Sequence, residues 1–137
     1  MERKAVGQTA TAGVQIGVRR TFAISAETAW NHLMSEPGLR LWLGTVDAIS
    51  IEPKHRFESE EGNTGEFRIV KPFQQIRLTW QKREWQKPST LQIRFLSKAE
   101  GKTTISFHQE HLNDLQVREE MKQHWEAVME KIKERHA

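Results

Sequence analysis

The sequence predicts an α+β domain in which a bent antiparallel sheet of about seven strands wraps around one long C-terminal helix. Three observations predict it. From Val14 to Ile24, and again in six segments between Val46 and His108, apolar and polar residues alternate with the period of a strand. Short turns separate most of the later segments, so sequential neighbours run antiparallel as a meander with one apolar face. From Asn113 to about Arg135 the period becomes helical, with Val117, Met121, Trp125, Val128, Met129 and Ile132 on a single stripe. That stripe has to be covered by what precedes it, which is mainly strand.

In chain order, residues 1–12 are small and polar and are expected to be flexible; a single domain then occupies 13–137. The first strand points Val14, Ile16, Val18, Arg20, Phe22 and Ile24 to one side. Ser25 caps a short helix with Ala29, Trp30, Leu33 and Met34 on one face. Ser35 or Glu36, followed by Pro37, starts a second helix carrying Leu39, Trp42 and Leu43, and Gly44 closes it. Strands are then expected over Val46–Ile51 and His55–Glu60, with a tight turn at Gly62-Asn63. Further strands carry Phe67 and Ile69, then Ile76, Leu78 and Trp80. A loop over Arg83–Pro88 holds Trp85. The last two strands carry Leu91, Ile93 and Phe95, then Ile105 and Phe107. Asn113 is the expected cap of the long helix, with Gln116 reaching back.

The 137 residues suffice for one domain with a proper core, and 36% hydrophobic against 28% charged residues describes a folded soluble chain. No apolar run approaches a membrane span, and the first residues have no signal-peptide core, so the cytoplasm is the expected setting. The absence of cysteine rules out disulfides, thiol nucleophiles and thiolate metal sites. A net charge of +3, from 21 basic and 18 acidic residues that are interspersed, describes a mixed solvated surface. Arg68, Arg77 and Arg94 share an outward strand phase, but without outward aromatics for stacking that face does not read as a nucleic-acid binder.

Several motifs in fixed order resemble the START-like (SRPBCC) superfamily, and within it the group similar to the activator of Hsp90 ATPase. They are the run Arg20-Thr-Phe-Ala-Ile-Ser-Ala-Glu-Thr-Ala-Trp-Asn-His-Leu, Trp42-Leu43-Gly44, Leu78-Thr79-Trp80, Gly101-Lys-Thr-Thr-Ile-Ser-Phe and the Trp125 helix. The resemblance covers most of residues 14–135 and implies a helix-grip fold over an elongated cavity that in many relatives holds an apolar small molecule. It departs from the group at His124, where glycine commonly precedes the tryptophan of the last helix. A larger side chain there narrows the cavity mouth or moves the helix.

Trp42, Phe67, Ile69, Leu78, Trp80, Ile93, Phe95, Phe107, Met121, Trp125 and Met129 are the candidates for contact with such a ligand, with Trp85 either covering the mouth or standing partly exposed in its loop. Spacing by itself favours an ordinary packed core, and only with the resemblance do the two readings balance. Polar residues in phase with apolar ones are more informative. Arg20, Arg118, Gln109 and His111 each need a partner, a ligand or water, and Arg118 and His111 are the candidates for orienting a ligand's polar end. Catalytic patterns fail: His108-Gln-Glu-His111 lies on a strand, where residues three apart face opposite sides, and no P-loop, GxGxxG or GxSxG occurs. The reading is a non-catalytic binder of an apolar or aromatic ligand, with no cofactor, metal, nucleic acid or membrane. Two alternatives stand beside it: a protein-interaction module similar to the chaperone activators, and a cavity enzyme using Arg, His and water.

Overall fold

The computed structural model describes Gln8, Thr9 and residues 13–136. Its elements are β1 (Gln8–Thr9), β2 (Gly13–Phe22), α1 (Ala26–Met34), α2 (Glu36–Trp42), β3 (Arg56–Glu58), β4 (Thr64–Lys71), β5 (Gln75–Trp80), β6 (Ser89–Ala99), β7 (Lys102–Leu112) and α3 (Leu115–Arg135). The strands form one antiparallel sheet in the order β1-β2-β7-β6-β5-β4-β3. The meander of β3 to β7 is closed on its other side by β2. The helix α3 buries Met121, Trp125, Val128, Met129 and Ile132 against the inner face. No helix among the described residues is long and apolar enough to cross a membrane.

The local signals act as their chemistry dictates. Ser25 and Ser35 each accept a backbone N–H of their helix, from Thr28 at 3.1 Å and from Gly38 at 3.2 Å. The indole of Trp42 donates to the Leu33 carbonyl at 2.9 Å, tying α2 to the end of α1. The Leu43 carbonyl accepts from both Asn63 Nδ2 and Trp80 Nε1, each at 3.1 Å, which fixes the end of α2 to the sheet.

Five expectations are corrected. Residues Val46–Ile51 are not a strand: Val46 is buried and Ile49 and Ile51 pack on the core, but β3 pairs with β4 alone and offers this segment no ladder. The strand expected over His55–Glu60 shortens to Arg56–Glu58. The α3 cap is Asp114, whose carboxylate accepts Val117 N–H at 2.8 Å, one residue after Asn113. A bulge in β4 puts Phe67 opposite Leu78 but Ile69 opposite Arg77, so Val70 takes the inward place and Ile69 turns outward. A second bulge sets Glu110 and His111 against Gln15; His111 has φ +61°, stands exposed, and leaves the inward place to Leu112. The strand count stays at seven because the two-residue β1 enters as Val46–Ile51 leaves. Apart from β1, the expected flexible N-terminus lies outside the described residues.

Candidate ligand site between the sheet and the long helix

Strand register assembles the interior in rungs. One rung crosses five strands as Phe67, Leu78, Leu91, Gln109 and Ile16. Four members are apolar and one is an amide. The next reads Val70, Ile76, Ile93, Phe107 and Val18. Over them lies α3, whose Trp125 stacks on Phe107 at 4.9 Å between ring centroids and meets Trp80 at 5.8 Å.

Gln109 is fully buried, and its hydrogen bonds run in one direction. Trp125 Nε1–H donates to Gln109 Oε1 at 2.8 Å; Gln109 Nε2–H donates to Ser89 Oγ at 2.8 Å; Ser89 Oγ–H donates to the Trp80 carbonyl at 2.5 Å. An indole N–H can only donate, which fixes the orientation of the amide. The relay joins α3, β7, β6 and β5, and its members polarise one another in the apolar surroundings. It also leaves capacity unused. The second N–H on Gln109 Nε2 and a lone pair on Oε1 have no partner among the described residues.

The other predicted site residues divide into three groups. Trp42, Phe67, Leu78, Trp80, Ile93, Phe95, Phe107, Met121, Trp125 and Met129 are all buried in the interior. Trp85 is buried too, edge-on to Trp80 at 5.5 Å, because the β5–β6 loop folds back over the sheet end; it is part of the core and not an exposed loop residue. Ile69 and His111 face away, for the reasons given by the bulges. Arg118 stays at the rim, where its Nε donates to the Gln15 carbonyl at 2.7 Å beside the second bulge, and Arg20 pairs with Glu130 of α3. These two arginines have found protein partners.

The interior is filled. Phe67, Leu78, Ile93, Phe107, Met121, Trp125 and Met129 are each 0% exposed. A void that admitted water would leave part of their surface accessible, so none touches them. Two clefts among the described residues lie at the margins of this interior. One of about 480 Å³ runs between the end of β2 and the end of α3 past Arg20, Phe22, Glu130 and His136. Another, of about 310 Å³, is lined by Glu61, Asn63, Trp80, Lys82, Glu84 and His124.

Titratable groups cluster near that second cleft. Burial, with Lys82 and Lys131 nearby, pushes the His124 imidazole down to about 4. The Thr45 hydroxyl and N–H, donating at 2.6 and 2.8 Å, hold the Glu61 carboxyl down to about 2. At the far end of the helix, His32 and His136 meet edge to face at 4.7 Å, and burial, then His136 and Arg135, lower the His32 pKa. No group of three metal-ligating side chains is found among the described residues.

The sequence model of the activator of Hsp90 ATPase homologue 1-like proteins matches residues 23–137. The chain belongs to this family. Solved structures agree on the fold: CalU16 from Micromonospora echinospora covers 90% of this chain and 77% of its own at TM-score 0.74 and 15% identity. CV1439 from Chromobacterium violaceum covers 89% and 96% at TM-score 0.74 and 16% identity. PFC0360w, an HSP90 activator from Plasmodium falciparum, covers 72% and 73% at TM-score 0.63 and 20% identity. Among curated proteins, none matches. The fold is therefore the helix-grip fold of START-like proteins, a family that includes ligand-binding domains and Hsp90 activators.

Proposed function

We propose that this family member binds an apolar or aromatic small molecule carrying one hydrogen-bonding group, without converting it, between the sheet and α3. The observation that carries the reading is Gln109: an uncharged amide at the centre of the apolar interior, with a donor and an acceptor position unpaired among the described residues. A ligand hydroxyl or carbonyl would complete that valence while its body is buried among Leu78, Phe107 and Trp125. Because the interior is filled, binding has to displace side chains. Met121 and Met129, unbranched and flexible, are the ones built to move. The setting proposed, as the sequence reading has it, is the cytoplasm.

A protein partner on the outer surface is the competing reading. Large exposed apolar side chains among the described residues are Phe73 and Leu115, which stand singly and form no patch. The interior reading is therefore preferred.

A thermal-shift screen against fatty acids, sterol-like and flavonoid-like compounds tests it, with Gln109→Leu as the comparison protein. A ligand at one hundred times its Kd should add about 2.7 kcal/mol, roughly 5–15 °C for a domain of this size. The proposal expects a saturable shift that Gln109→Leu loses or greatly weakens. Equal shifts in both proteins would remove Gln109 from the site. No shift across the library would remove the interior ligand.

A further inference from the structure

His124 occupies a singular position. It precedes Trp125 on α3, and its ring meets the Trp125 ring edge to face at 4.6 Å and the Trp80 ring at 6.2 Å. On its other side it lines the cleft of about 310 Å³ with Glu61, Asn63, Trp80, Lys82 and Glu84. The imidazole is thus part of a floor one side chain thick, with the cleft on one side and the indole that starts the Gln109 relay on the other. Its Nε2 is buried and has no hydrogen-bond partner among the described residues. An unsatisfied buried nitrogen is costly, and rotation into the cleft would return it to water and bring it towards the carboxylates of Glu61 and Glu84.

We propose that His124 is the gate of the interior: seated beside Trp80, its ring seals Trp125 from the cleft, and swung out it opens a path to Gln109. The part of this that concerns a ligand rests on the function proposed above; the gate itself does not. The gate opens with acid. Seated, the imidazole stays neutral down to about pH 4, whereas released it titrates near 6.5, so protonation favours the open form as pH falls below 6.5. Facing charges act in both directions. Glu61, ionised down to about pH 2, and Glu84 attract the released imidazolium; Lys82 in the cleft and Lys131 on the same helix oppose it. At pH 5.5 a free imidazole is about ten-to-one protonated, so the open-to-closed ratio should rise about tenfold relative to pH 7.5.

The test uses water as the probe and needs no ligand. In the 15N-labelled full chain, solvent exchange is measured for the indole N–H of Trp125, with that of Trp42, bonded to the Leu33 carbonyl away from the cleft, as internal control. The Trp125/Trp42 rate ratio should rise about tenfold from pH 7.5 to 5.5, rise at pH 7.5 in His124→Ala, and lose its pH response in His124→Leu. Acid catalysis of exchange acts on both indoles and cancels in the ratio, and His124→Leu, which keeps His32 beside the Trp42 bond, reports any contribution from acid loosening elsewhere. A ratio that stays constant with pH in the wild type, or a pH response that survives in His124→Leu, would overturn the gate. Should His124→Ala fail to fold, the wild-type and His124→Leu comparison decides alone. Failure of every compound in the thermal-shift screen would end the ligand reading and leave this result standing.

Discussion

The middle and the rim of the α3 interface treat buried polar atoms in opposite ways. In the middle, Trp125, Gln109, Ser89 and the Trp80 carbonyl satisfy one another in sequence with no charge involved. At the rim, the Nε2 atoms of His124, His32 and His136 are buried without a partner. A neutral amide with one partner on each polar atom can sit at 0% exposure at modest cost, while an imidazole in the same neighbourhood keeps its neutrality only by giving up its proton affinity. The relay at the centre is accordingly indifferent to pH, and the rim is the part that pH can loosen.

The largest effect should come from breaking the relay at its head. Trp125→Ala removes the biggest ring of the interface and leaves Gln109 Oε1 without its donor, for a loss of about 4 kcal/mol or more in urea unfolding. Gln109→Leu alone should cost about 1–3 kcal/mol, because the Trp125 indole N–H is then buried unpaired. Removing both polar ends sharpens the comparison: Gln109→Leu with Trp125→Phe should lose clearly less than the two single changes added together. An additive cycle would mean that the relay is a set of independent contacts.

The rim predicts a pH dependence of fixed sign. A histidine whose folded pKa lies below its unfolded value favours folding while neutral. That contribution is full above about pH 6.5 and disappears as pH falls towards 4 for His124, with His32 acting in the same direction. Unfolding midpoints between pH 7.5 and 4.5 should therefore decline in the wild type and decline less in His124→Leu. The smallest effect belongs to Arg20→Ala or Glu130→Ala. The side chains of that ion pair are 36% and 52% exposed, and each change should cost under about 1 kcal/mol, less at high salt.

Period alone made the sheet, its inward set and the α3 stripe legible, and the caps at Ser25 and Ser35 followed from side-chain chemistry. What failed were places where one inserted residue changes the phase. Ile69 alternates correctly with Phe67 in sequence, yet the β4 bulge reverses it, and nothing in the intervening residues marks a bulge. His111 fell to the same cause at the end of β7. Val46–Ile51 has strand composition, and only the sheet order reveals that it has no neighbour to pair with. Gln109 was visible as a polar residue in phase with Ile105 and Phe107. The relay was not, because Ser89 and Trp125 come to it from 20 residues upstream and 16 downstream.

The most direct test of the interior site is an indole N–H titration by NMR with the compound giving the largest thermal shift. Of the five tryptophans, the account predicts that the Trp125 resonance moves saturably with added compound while the Trp42 resonance, bonded to the Leu33 carbonyl, stays in place. Changes confined to backbone amides of the outer sheet face, with the Trp125 resonance fixed, would contradict it and place the partner outside.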